Sequence, residues 1–137
     1  MKNLANVLLL CLAVLAFGCS KPILTPTANF AAEFPQATRE DMREAIIQAC
    51  AGRGWDITKA DDSHVYASIA PRTHRAEIDI AYSESSVVIN YVSSSNLEYK
   101  AGKDGETPTI HRAYNRWVNN LIHDIRNNLM AKKFIQN

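Results

Sequence analysis

The stretch Val65–Val92, "VYASIAPRTHRAEIDIAYSESSVVINYV", decides the fold, because apolar residues recur at every second position in three successive segments. Such alternation is typical of half-buried strands. The segments are separated by "PRTH" and "SESS", which are rich in turn-forming residues, and connections this short indicate antiparallel neighbours. A further segment, "WDITK", Trp55–Lys59, precedes them. The pattern therefore predicts a four-stranded antiparallel meander.

The same alternation predicts the strand register, since a shift of one residue would turn every apolar side chain of a strand to water. The predicted pairs are Val65 with Ile80, Ala67 with Ile78, Ile69 with Ala76, Tyr82 with Val87, Ile80 with Ile89, and Ile78 with Tyr91. The reverse face would carry Asp56, Thr58, Ser68, Arg75, Glu77, Asp79 and Asn90. One face is therefore apolar and the other polar, so helices are expected on one side only.

Two helices are predicted around the meander. Thr38, followed three residues later by Asp41, is typical of an N-cap, and apolar residues at helical spacing continue to Cys50. In the second helix Thr107 is the predicted cap and Pro108 the first helical residue. Its apolar stripe comprises Ile110, Tyr114, Trp117, Val118, Leu121, Ile122, Ile125 and Leu129. The predicted fold is a two-layer α+β domain: helix, four-stranded antiparallel meander, long loop and helix, with both helices on one face.

The N-terminal sequence "MKNLANVLLLCLAVLAFGCS" predicts where the chain is located. Lys2 precedes an apolar run, Val7–Phe17, which is shorter than the ~20 residues that span a bilayer. The ending "LAFGC" resembles the lipobox of bacterial lipoproteins, although Ala16 stands where Leu is more common. That resemblance implies that Cys19 is lipidated and becomes the first mature residue. The alternative is an ordinary secretory signal peptide in which Cys19 is incidental.

The predicted organisation has three parts. Residues 1–18 are a lipoprotein signal peptide, 19–36 a lipidated N-terminus and flexible tether, and 37–137 a single periplasmic α+β domain. The tether is inferred from its three prolines and its lack of any periodicity. Ser20 replaces the Asp that favours inner-membrane retention in well-studied lipoproteins, so the outer membrane is expected.

Composition narrows the possible functions. The 15 basic and 14 acidic residues leave a net charge of +1, which argues against nucleic-acid binding and against a polybasic membrane patch. Cys50 lies on an apolar stripe, so core packing is favoured over a reactive thiol. The four histidines show no metal-ligand spacing, and no GxSxG motif is present. We therefore predict no metal site, no catalytic residues and no cofactor.

Two segments carry a family resemblance. "INYVSSSNLEY" followed by "IHRAYNRWVNNL" is similar to the C-terminal half of small proteobacterial lipoproteins of unknown function. The resemblance implies a shared fold and no particular activity. The matching residues are Tyr91, Ser94, Asn96, Leu97, Tyr99, Ile110, His111, Tyr114, Asn115, Trp117 and Val118.

Polar residues of these segments form a candidate polar pocket: Tyr91, Ser94, Asn96, Tyr99, His111, Tyr114 and Asn115. They could bind a small ligand, or Ser94 could act as a hydrolytic nucleophile with His111. The alternative is structural, because loop side chains usually form hydrogen bonds with nearby backbone. A candidate partner-binding face comprises Tyr66, Val88 and Val92, which are apolar on the otherwise polar sheet face.

Together these observations predict a membrane-anchored, non-enzymatic envelope lipoprotein that binds a protein or cell-wall partner in a structural or assembly role. A small-ligand or hydrolytic site at Ser94–Asn96 and His111 is the alternative function.

Overall fold

The computed structural model describes residues 19–135, so the predicted signal peptide lies outside the described residues. The elements are β1 (Ser20–Pro22), β2 (Thr27–Asn29), α1 (Arg39–Gly52), β3 (Asp56–Ala60), β4 (His64–Ile69), β5 (Arg75–Tyr82), β6 (Ser86–Ser95), β7 (Thr109–His111) and α2 (Arg112–Ile135). Five strands form one antiparallel sheet in the order β2-β6-β5-β4-β3, and β1 and β7 form a second sheet. The α+β class is confirmed.

The predicted register is confirmed across the centre of the large sheet. Val65 lies opposite Ile80, Ala67 opposite Ile78, and Ile69 opposite Ala76 in the β4–β5 pair. Tyr82, Ile80 and Ile78 lie opposite Val87, Ile89 and Tyr91 in the β5–β6 pair. The register then shifts between Glu77 and Ile78, because Val92 is an additional residue on β6.

The prediction of only four strands is wrong, because the sheet has a fifth strand in the supposed tether. Thr27–Asn29 pairs with Ser86–Val88 at the edge of the sheet. Ser20–Pro22 pairs with Thr109–His111 in the second sheet. A three-residue strand is too short to show a period of two, so neither pairing could be predicted from the pattern of residues.

The prediction of a flexible tether over residues 19–36 is also wrong. Besides the two strands, the segment contributes Phe30 and Phe34 to the hydrophobic core, and Phe30 is only 3% exposed. The backbone N–H of Phe30 donates to the carbonyl of Ser85 at 2.7 Å. The segment therefore belongs to the folded domain.

Helix α1 begins as predicted. The Thr38 hydroxyl accepts a hydrogen bond from the backbone N–H of Asp41, and the Asp41 carboxylate accepts one from the backbone N–H of Thr38. This reciprocal arrangement satisfies N–H groups that a helix leaves without partners at its start. Met42, Ala45, Ile46, Ala49 and Cys50 form its buried face.

Helix α2 begins later than predicted, at Arg112 instead of Pro108. Thr109–His111 is extended, because these residues are paired with β1, and Lys100 also bridges to Thr109. The ring Nδ1 of His111 accepts the N–H of Ala113 at 3.2 Å in the first turn. His111 thus takes the role that the sequence suggested for Thr107.

The two helices pack against each other and cover one face of the large sheet, with one continuous core between the layers. Tyr114, Val118, Leu121, Ile125 and Leu129 are buried as predicted. Trp117 and Ile122 also pack against the core, as predicted, but both are only partly buried at its margin. Within residues 19–135, neither helix combines the length and apolar character needed to cross a bilayer.

Candidate functional site

The predicted lipidation site, Cys19, lies directly before strand β1. Its side chain is exposed. Its carbonyl oxygen accepts the backbone N–H of Arg112 at 2.8 Å, and the next residue, Ser20, is already paired with His111. The thiol is therefore accessible, while the backbone beside it is held by the domain.

Asn115 fixes the same N-terminal segment from helix α2. Its Oδ1 accepts the backbone N–H of Leu24 at 3.0 Å, and its Nδ2 donates to the carbonyl of Pro22 at 2.9 Å. The oxygen and the nitrogen of the Asn115 side-chain amide thus each form a hydrogen bond with the backbone, one on each side of Ile23. Asn115 therefore binds the N-terminal segment and not the other residues of the predicted polar pocket.

Four residues of the predicted polar pocket do lie together. The rings of Tyr91 and Tyr99 stack at 4.6 Å between centroids, and Tyr114 meets Tyr91 edge-on at 5.6 Å. The Tyr91 hydroxyl and the Ser94 Oγ share a hydrogen bond of 2.8 Å. The Tyr114 hydroxyl is buried without a hydrogen-bond partner among the described residues, and burial raises its pKa. This cluster is mainly an aromatic stack at the edge of the core.

Asn96 and His111 are engaged elsewhere. Asn96, with a φ of 56°, adopts the left-handed conformation that Asn tolerates, and its Nδ2 donates to Thr73 Oγ1 at 2.8 Å. Its carbonyl accepts the Nδ1–H of His74 at 2.6 Å. The His74 ring stacks on that of His111 at 5.9 Å. These contacts fasten Asn96, just after β6, to the β4–β5 turn, and they join residues 22 and 23 positions apart instead of the nearby backbone that the structural alternative expected.

This geometry places Ser94 and His111 in separate hydrogen-bonding groups. The Ser94 hydroxyl is bonded to Tyr91, whereas the His111 Nδ1 is bonded to the α2 backbone. A serine nucleophile needs a base within hydrogen-bonding reach of its oxygen. Among residues 19–135, no group of three or more His, Cys, Asp or Glu side chains is placed to hold a metal ion.

The candidate partner-binding face lies on the side of the sheet opposite the helices. Tyr66 stacks on His64 at 5.8 Å, with the Lys59 ammonium 5.6 Å from its ring centroid. Val92 is 51% exposed at the bulge of β6, and Val88 is partly buried. Strand β5 separates Tyr66 from both valines, so the three residues do not form one apolar patch.

A cleft that sequence reasoning missed lies between the start of α2, the end of α1 and the β4–β5 turn. Its volume is about 340 Å³, and we call it the Trp–Arg cleft. It is lined by Arg53, Trp55, Ile69, Pro71, Arg116, Trp117 and Asn120. Both tryptophans of the chain line it, and neither this cleft nor a 300 Å³ cavity beside Phe34 includes a residue of the predicted polar pocket.

The arginine and tryptophan side chains of the Trp–Arg cleft are donors, and the Asn120 amide can both donate and accept. Arg53 is held by Asp124, with Nε–Oδ2 at 2.6 Å, and this bond raises the pKa of Arg53 and lowers that of Asp124. The Trp55 indole N–H is buried without a partner among the described residues. The position of Trp117 at the edge of the apolar stripe was the one available signal in the sequence. Pro71 and Ile69 line the cleft only because the fold brings the β4–β5 turn next to α2.

Cys50 is a core residue, as predicted. It is fully buried, and burial raises the pKa of its thiol to about 12. Since the thiolate is the reactive form, this thiol is inert at neutral pH. The exposed Cys19 is thus the cysteine available for modification among the described residues.

Comparisons with family models, curated proteins and solved structures found no match to this chain.

Proposed function

We propose that this protein is a membrane-anchored envelope lipoprotein, lipidated on Cys19, whose domain binds a protein or cell-wall partner without catalysing a reaction. The observation that supports it is the exposed thiol of Cys19, directly before the first strand and directly after the lipobox-like sequence. A thioether-linked diacylglycerol with an amide-linked acyl chain would anchor it, since each buried CH₂ contributes ~0.8 kcal/mol. The expected location is the periplasmic face of the outer membrane.

Metabolic labelling tests the anchor. Cells that express the full chain are grown with a clickable fatty-acid analogue, and the chain is isolated and probed for the label. We expect the parent to be labelled and to fractionate with membranes, and Cys19→Ser to lose both properties. Cys50→Ala is the matched control, because Cys50 is buried and should not affect labelling. An unlabelled parent chain would contradict the proposal.

The binding role is tested by crosslinking in whole cells. A photoreactive residue is placed at Val92, on the uncovered sheet face, or at Trp117, in the Trp–Arg cleft. We expect one of the two positions to trap a partner or a cell-wall fragment repeatedly. Recovery of only abundant neighbours from both positions would count against a binding role.

Small-ligand binding is a second candidate function, and it belongs to the Trp–Arg cleft instead of the Ser94–Asn96 and His111 cluster. Its support is the accessible part of the lining, where Arg116 and Asn120 lie beside the partly buried ring of Trp117. Arg116 forms no ion pair with the residues that the structure describes, so it suits an anion, and the face of Trp117 suits a sugar ring or an aliphatic chain. Peptidoglycan fragments combine carboxylates with sugar rings.

Titration with a soluble muropeptide, followed by tryptophan fluorescence, tests this second candidate. We expect saturable binding that is lost in Arg116→Gln and unaffected in Arg126→Gln, which lies further along α2 and pairs with Glu33. An uncharged chitin oligomer should bind more weakly. Equal binding by the parent and Arg116→Gln would exclude the cleft.

A further inference from the structure

No unpaired linker residues separate Cys19 from the strand that joins the domain. The Cys19 carbonyl is bonded to the backbone of Arg112, Ser20 is paired with His111, and the N–H of Ile23 donates to the carbonyl of Pro108 at 2.9 Å. A lipid-bearing tether needs unpaired residues to let a domain move away from the bilayer. From Cys19 to Ile23, the backbone is instead occupied by strand pairing and its flanking bonds.

Side-chain bonds hold this segment in addition to the backbone ladder. Asn115 bonds to the backbone of Pro22 and Leu24, and the Ser20 hydroxyl donates to Glu98 at 2.9 Å. Detaching the segment from the domain would require both the β1–β7 pairing and these side-chain hydrogen bonds to break. The point of attachment is therefore part of the domain and not a flexible extension of it.

We infer that the domain is held flush against the membrane, with the surface around Cys19 facing anionic lipid headgroups. This inference rests on the proposed lipidation of Cys19. We define the anchor end by the exposed charged residues that belong to β1 or are bonded or bridged to Cys19, β1 or β7: Lys21, Glu98, Lys100 and Arg112.

The charge of the anchor end favours contact with anionic lipid headgroups. Three of its four charged side chains are cations, and its one carboxylate, Glu98, accepts a hydrogen bond from Ser20. Basic groups close to a bilayer are attracted to anionic lipids, and the attraction is felt only within about a Debye length, ~8–10 Å. A domain without a tether keeps these groups inside that range, whereas a long tether would let them leave it.

The opposite end of α2 lies far from the anchor. Lys133 is 21 residues beyond Arg112, which at about 1.5 Å per residue is roughly 30 Å along the helix. The cations of that end are therefore about three screening lengths from Arg112 along the helix. The two ends of one helix consequently provide a matched pair of reporter positions.

Depth-dependent fluorescence quenching tests this orientation on the full chain, lipidated in cells and reconstituted into vesicles. The vesicles contain phosphatidylethanolamine, phosphatidylglycerol and a lipid with a nitroxide on its headgroup. A fluorophore is attached to Lys100→Cys or to Lys133→Cys, since Cys50 is buried. We expect quenching at position 100 to be at least about threefold stronger than at position 133.

An inserted spacer is the control. About twelve Gly and Ser residues, spanning roughly 20 Å, are placed between Cys19 and Ser20, so that the last inserted residue can supply the carbonyl that bonds to Arg112. The spacer should reduce quenching at position 100 to the level at position 133 without releasing the chain from the vesicles. Equal quenching at both positions in the chain without a spacer overturns this inference alone. A chain that does not float with the vesicles overturns the proposed function as well.

Discussion

Asn115 is the single residue whose replacement should most directly loosen the N-terminal segment. Asn115→Ala removes its hydrogen bonds to Pro22 and Leu24, each worth about 0.5–1.5 kcal/mol, so we expect the free energy of unfolding to fall by about 1–3 kcal/mol. Urea unfolding measures that change, and amide hydrogen exchange should show faster exchange at Leu24.

The control for this prediction lies on the same helix. Asn119 is exposed and makes no side-chain hydrogen bond with the residues that the structure describes, so Asn119→Ala should leave both measurements near those of the parent. Unchanged exchange at Leu24 in Asn115→Ala would show that strand pairing alone holds the segment.

His64 should make stability depend on pH. Its Nδ1–H donates to Asp79 Oδ1 at 2.7 Å, and this hydrogen bond raises the pKa of His64 in the folded state, although partial burial opposes the shift. Protonated His64 therefore stabilises the fold fully below its unfolded pKa of about 6.5. That contribution is lost as the pH rises through the higher folded pKa.

Urea unfolding midpoints from about pH 5 to pH 8 check this prediction. Asp79→Asn should destabilise the chain more at the acidic end of the range than at the alkaline end. Glu77→Gln is the matched control on the same sheet face, because hydrogen bonds from Ser93 and Arg75 lower the pKa of Glu77 and place its titration below the range. A difference between Asp79→Asn and the parent that stays constant with pH would contradict the prediction.

Individual side chains were predictable where they follow a simple period. Cys50 lies on a regular apolar stripe and is in the core, as expected. Asn115 was expected to contact the protein, but its partners lie more than ninety positions away in sequence. Helical angles indicate which way a side chain points and not which segment it meets, so neither these partners nor the Trp–Arg cleft could be predicted.

At the level of secondary structure, the central strands were predictable because their faces differ in polarity. Alternation over β4, β5 and β6 indicated a register that the structure confirms pair by pair. Strands β1, β2 and β7 have three residues each, and their pairing depends on neighbours far along the chain. Pro108 indicated a helix start, but pairing of the next three residues with β1 outweighs that local preference.

The segment that leads from β2 into α1 should contribute to stability as core. Phe30 is 3% exposed and packs against Phe34 with centroids 5.9 Å apart, so Phe30→Ala should lower the free energy of unfolding by about 3–5 kcal/mol. Chemical denaturation measures the change. Leu24→Ala, at a side chain that is 40% exposed, is the control, with an expected cost near 0.5 kcal/mol. A cost for Phe30→Ala as small as that of the control would restore the tether interpretation.

On the scale of the whole molecule, the fold determines which surfaces remain for a partner. Both helices cover one side of the large sheet, and the anchor end would face the membrane if Cys19 is lipidated. The uncovered sheet face would then remain accessible from the periplasm, whereas the Trp–Arg cleft, whose α2 residues begin one turn after Arg112, would lie close to the membrane. A partner of the proposed lipoprotein is therefore expected at the uncovered sheet face.

The extent of the folded unit can be tested by truncation. A chain that begins at Ala37 matches the domain boundary expected from the sequence, but it lacks β1, β2 and the buried rings of Phe30 and Phe34. Each ring is worth about 3–5 kcal/mol, and a typical domain is stable by only about 5–15 kcal/mol. We expect this chain to lose cooperative unfolding, whereas a chain that begins at Cys19 should retain it. Near-ultraviolet circular dichroism and urea unfolding compare the two. If the chain from Ala37 had the same unfolding midpoint as the chain from Cys19, the N-terminal strands would contribute nothing to the stability of the domain. The inference that the N-terminal segment is firmly attached to the domain would then fail as well.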